Sequence, residues 1–149
     1  MWNPLYDFLV QLFAGLRWSA FIAQNGSSIV MATKMRNVFR NDLYSMSGWL
    51  TLLITFIMIC LYYFVVNRKG GAGYGFKPKY WLMFLGGNSL LIILIILYVS
   101  VKMTGVYSSL NPFKYSLALA FTNLLYSSIL FFALSLIAKR ASVASTTPF

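Results

Sequence analysis

The chain has 149 residues, 60% of them hydrophobic and 18% aromatic but only 9% charged, where an ordinary soluble domain carries about 25%. Its twelve Lys and Arg face two acidic residues, Asp7 and Asp42, and histidine is absent, giving a formal charge of +10. A soluble fold is excluded because too little polar surface exists to cover the apolar side chains, and zinc, haem-type and di-iron ligand sets are excluded for want of donors.

The positive excess points to anionic lipid headgroups rather than nucleic acid. The basic residues sit beside apolar runs, not on a solvated face. The start of the chain lacks the basic opening and small-residue end of a cleavable signal, so Met1 is expected to be retained.

Taken in order, residues 1–45 read as an amphipathic N-terminal region. From Trp2 to Ala23, the residues Trp2, Leu5, Leu9, Leu12 and Leu16 recur at helical steps, joined by Phe8, Phe13 and Ala20, with Asn3, Asp7 and Gln11 opposite. Pro4 suits a first helical turn. A membrane crossing here would have to bury Asp7, Gln11 and Arg17 at a cost of about 3 kcal/mol per ion. The expectation is therefore a helix lying in the membrane interface or docked on a partner.

Asn25-Gly26-Ser27-Ser28 is an expected turn, with Asn-Gly supplying positive φ and the serines capping the next helix. That second amphipathic helix should begin near Ser28. Its Lys34, Arg36 and Arg40 are candidate headgroup contacts ahead of the first span.

Residues 46–138 form the expected transmembrane domain of three helices, at about 46–66, 80–102 and 115–138, each near the roughly 20 residues a bilayer needs. Ser45–Gly48 marks the entry to the first, with Trp49 at one boundary and Tyr62 and Tyr63 at the other, as in an aromatic belt. Cys60, the lone cysteine, reads as a small apolar residue.

The loop at 67–79, NRKGGAGYGFKPK, closes the first two spans into a hairpin. Its glycines fit neither GxxxxGK[ST] nor GxGxxG, so it is a connector and not a phosphate site. Arg68, Lys69, Lys77 and Lys79 are placed at the headgroups.

Gly86 and Gly87 interrupt the second span with small residues that invite close helix approach, and Asn88 can bond across such a contact. The stretch from Thr104 to Pro112 is an expected loop with an Asn-Pro turn. The third span is rich in small and polar residues, among them Ser116, Ala120, Asn123 and Ser127, and reads as protein-facing. Lys139 and Arg140 end it at the headgroups, and residues 139–149 form a short polar tail.

Basic residues divide six and six between the two sides, counting Arg17, Lys34, Arg36, Arg40, Lys102 and Lys114 against Arg68, Lys69, Lys77, Lys79, Lys139 and Arg140. The positive-inside rule then chooses no orientation. Catalysis is not expected either: Cys60 has no base in its span, and the confident spans carry no acid for a proton relay.

The function expected from these features is a non-catalytic scaffold or anchor subunit, without cofactor, in a secretion-type or energy-converting complex. Its location would be a bacterial or organellar inner membrane, and its partners other membrane subunits or further copies of itself. The alternative is a self-assembling pore; three short spans with a basic end resemble phage holins in outline.

Overall fold

The computed structural model describes residues 3–66 and 78–141. All regular structure among these residues is helical. Helix α1 covers Asn3–Ala14 and α2 covers Trp18–Gln24, followed by a 3-10 turn at Gly26–Ser28. Helix α3, Ile29–Val38, runs through a π-helical turn at Phe39–Leu43 into α4, Tyr44–Cys60, which ends in a second π segment at Leu61–Val66. Helix α5 is Pro78–Thr104, a 3-10 connector spans Gly105–Leu110, and α6 is Phe113–Ala141.

Three stretches are long and apolar enough to cross a membrane: Gly26–Val66, Lys79–Leu110 and Phe113–Ala138. Each contains one of the three expected spans. What differs is the N-terminal region. The segment expected as a separate second amphipathic helix is continuous with the first span, and Ser45–Gly48 lies in helix interior, where the Ser47 hydroxyl donates back to the Tyr44 carbonyl at 3.2 Å. Small hydroxyl residues need not break a helix when they can bond to their own preceding turn.

The first segment also differs, since two helices replace one continuous helix from Trp2 to Ala23. Gly15 adopts φ +65°, the left-handed conformation that ends helices cheaply only in glycine, and its N–H donates to the Leu12 carbonyl. Gln11 then braces the corner. Its side-chain amide donates to the Asp7 carbonyl at 2.8 Å, and its oxygen accepts the Trp18 N–H, an otherwise unpaired donor of the next helix, at 3.0 Å.

The Asn25–Ser28 turn forms by another route than positive φ. Asn25 sits at φ −99° and closes α2 by donating its side-chain amide to the Phe21 carbonyl, while Ser28 makes no side-chain cap. The Asn-Pro turn does form: Asn111 takes φ 49°, within the left-handed region asparagine tolerates, just ahead of α6.

The chain divides into two compact units. The first comprises Met1–Leu50 with Ile93–Asn123, and the second Thr51–Ile92 with Leu124–Phe149.

In the first unit α1 lies lengthwise along the beginning of α6, and the two run in opposite directions. The Tyr115 hydroxyl donates to the Leu16 carbonyl, Phe13 meets Phe121, and the Tyr6 hydroxyl donates to the Asn123 side-chain oxygen at 2.7 Å. Trp18 stacks on Tyr115 with ring centroids 4.0 Å apart, and Phe21 and Phe39 pack against the same rings. Aromatic pairs of this kind contribute about 1 kcal/mol each beyond the area they bury.

In the second unit Ile59, Tyr62, Tyr63, Trp81 and Phe131 form the core. Tyr62 and Tyr63 therefore face inward, packed edge to face on each other, where the sequence suggested an interfacial belt. The Trp81 indole donates to the Ser135 hydroxyl at 3.0 Å.

Candidate functional site: a buried polar cluster on the N-terminal helix

The face of α1 that turns inward is not the leucine-rich stripe but a second one, beside the polar residues. Tyr6, Val10 and Ala14 are buried, with Asp7 beside them, whereas Leu5, Phe8, Leu12 and Phe13 of the apolar stripe face outward. Such inversion is adverse in water and favourable in lipid, where outward side chains meet hydrocarbon and polar ones need protein partners.

Asp7 supplies the charge of this cluster. Its Oδ2 accepts from the Arg40 guanidinium at 2.8 Å, with 15% of the Asp7 side chain exposed against 41% for Arg40. Arg40 lies in the π turn Phe39–Leu43, whose extra residue per turn widens the helix where it faces α1.

One turn further, Tyr44 stacks on Tyr6 with centroids 5.3 Å apart and an interplanar angle of 20°. The Tyr44 hydroxyl is directed toward the Trp18 indole and the Asp7 carboxylate. Asp7 Oδ1, Trp18 Nε1 and the Tyr44 hydroxyl are all buried, and among the described residues none of them completes a well-aligned hydrogen bond. The cluster so unites an ion pair, a tyrosine pair and a tryptophan around the inner face of α1.

Asn123 closes its far side. It accepts from Tyr6 and donates its amide to the Leu119 carbonyl at 2.8 Å. Among the other residues expected at helix contacts, Ser116 is buried and accepts from the Ser100 hydroxyl at 2.9 Å, and Ala120 is fully buried. Ser127 is buried too, and donates to the Leu124 carbonyl of its own helix.

Asn88 donates to the Thr55 hydroxyl at 3.4 Å. It thus has a partner other than Asn123. Gly86 and Gly87 lie on an exposed face: a methyl added at Gly86 would meet nothing within 4 Å among the described residues, and one at Gly87 would touch only the Met58 methyl, at 3.9 Å.

Of the expected headgroup cations, Lys34 and Lys79 are exposed, and Lys79 lies over the ring of Tyr80, 5.1 Å from its centroid. Arg36 is half-buried with its Nε enclosed, and Arg40 has Asp7 as a protein partner. Arg68, Lys69 and Lys77 lie outside the described residues, as do the side chains of Lys139 and Arg140 and the rest of the tail.

Sequence reading missed Tyr6, Trp18, Tyr44 and Tyr115, and assigned Asp7 to an outer face. The signal was present in Tyr6, Val10 and Ala14, an apolar stripe at four-residue steps flanking Asp7. No family model, curated protein or solved structure matches this chain. Its own geometry is then the guide to function.

Proposed function

We propose that this chain is a non-catalytic integral-membrane subunit, a small helical scaffold that anchors in a larger membrane complex. The observation that carries the reading is the length of the first long helix. It runs 41 residues from Gly26 to Val66, about 60 Å at 1.5 Å per residue, against roughly 30 Å of hydrocarbon.

With the charge-free stretch from Tyr44 to Val66 in lipid, the part bearing Lys34 and Arg36 extends beyond it. That projecting part keeps apolar side chains uncovered. Val30 is 69% exposed, with Ile29 and Met31 also exposed. The Ser109–Met31 contact brings the connector alongside, where Val106 is 82% exposed. Clustered apolar groups on a segment outside hydrocarbon are what a partner subunit covers.

The pore reading is less favoured, because the polar residues that could line a channel are engaged internally. Ser116, Thr122, Asn123, Ser127 and Ser128 all bond to neighbouring groups, while the outward positions of α6 hold Phe121, Leu125, Ile129, Phe132 and Leu136.

Site-specific photocrosslinkers at Val30 and Val106, with Leu94 as a control, test the proposal in native membranes. Crosslinks to another protein from the first two positions are expected. A stable monomer in mild detergent, with no crosslinked or co-purifying protein, overturns the reading, and prompt loss of membrane potential on expression points to the pore.

A further inference from the structure

A groove of about 490 Å³ opens along the outward side of α1, lined by Phe8, Gln11, Leu12, Gly15, Leu16 and Arg17. Its size lies within the roughly 300–1,000 Å³ of ligand sites. Gly15 is part of the lining; a Cβ added there would meet nothing within 4 Å among the described residues, and its φ of +65° is one that side-chain-bearing residues rarely adopt. Gln11, held by Asp7 and by the start of α2, keeps the wall rigid.

Gln11, a polar side chain of the lining, is engaged within the fold, which leaves Arg17 as the charged group at one end of the groove. Arg17 stands at the corner, beside Leu16, whose carbonyl takes the Tyr115 hydroxyl near the first turn of α6. Leu12 and Phe8 lead away from it along α1, toward the level of Asn123, ten residues into α6 from Phe113, or about 15 Å. A cation at one end of a groove lined along α1 by Leu16, Leu12 and Phe8 matches a phosphate joined to an acyl chain.

Charge decides what sits at the cation. The sequence holds two acidic side chains; Asp7 is committed to Arg40, and Asp42 lies in the first long helix, away from this groove's lining. Among the described residues Arg17 has no ion-pair partner, so its counterion comes from outside the described chain.

We infer that this groove is a binding site for one anionic glycerophospholipid, its phosphate on Arg17 and an acyl chain along Leu16, Leu12 and Phe8. The inference rests on the chain lying in a membrane and not on its being a subunit, so a lipid result and a crosslinking result fail separately.

The test is native mass spectrometry of the full chain after exchange into mixed phosphatidylglycerol and phosphatidylcholine vesicles and gentle extraction. Wild type is expected to retain one phosphatidylglycerol in preference to phosphatidylcholine. Arg17→Gln should lower that preference about fivefold, the worth of one basic residue near an anionic surface, and Lys34→Gln should leave it unchanged.

Leu12→Trp, which fills the groove from an already exposed position, should abolish retention with Arg17 intact. Equal losses from Arg17→Gln and Lys34→Gln would reduce the effect to general charge attraction and overturn the site. So would wild type retaining no lipid, or a second copy of the chain that Leu12→Trp removes.

Discussion

Asp7 and Arg40 are not equal halves of their bond. Arg40 is 41% exposed and can be rehydrated when left alone, whereas Asp7 is 15% exposed and cannot. Removing one partner of a buried pair costs about 3–5 kcal/mol, and of an exposed pair about 0–1. Arg40→Ala should therefore destabilise the fold by about 2–3 kcal/mol and Asp7→Ala by only about 1 kcal/mol. Denaturation in detergent, followed by tryptophan fluorescence, reads the difference; equal losses would mean that both charges are solvated. Tyr6→Phe removes only a hydroxyl and should cost about 0.6 kcal/mol, the average for a hydrogen bond between membrane helices.

At the scale of the element, the packing of α1 along α6 is what sets its depth in the membrane. A helix in the interface would show graded exposure around its girdle, while a helix laid along α6 at the depth of that span would have one face in hydrocarbon and one in protein. Spin labels at Phe8 and Leu12, in a Cys60→Ser background, should be relaxed by oxygen and not by a water-soluble nickel chelate. A label at Val10 should be accessible to neither. Relaxation of both outward labels by nickel would restore the interfacial placement.

The three long apolar helices were legible because an uninterrupted run of apolar residues has few other solutions. The inner face of α1 was not, since a lipid-facing stripe and a core-facing stripe have the same composition. Hydropathy locates the boundary between apolar and polar sides but says nothing of which side holds the protein. Asp7 could be resolved only by Arg40, whose approach depends on the π turn at Phe39–Leu43, a feature without a sequence signature. Asn123 was recognisable as a packing residue from its small and polar neighbours. Its partner Tyr6 was not, because a contact across that separation leaves no local trace.

For the molecule as a whole, the two units differ in what their polar groups accomplish. In the first they join α1 to the long helices through Tyr6, Asp7 and Tyr115; in the second they tie the long helices to one another through Asn88–Thr55, Ser89–Ser128 and Trp81–Ser135. A chain lacking residues 1–25 should thus still insert its three spans while losing the crosslinks expected from Val30. Protease mapping of the inserted product, with the crosslinking assay beside it, would check both halves of that expectation.

The Tyr6–Asn123 bond joins positions 117 apart. At about 5–20 residues per second of synthesis, the receptor for α1 emerges on the order of ten seconds after α1 itself. Helix α1 is consequently seated well after it is made, and whatever holds it in the interval, be it the insertion machinery or the lipid surface, is part of how this protein reaches its folded form.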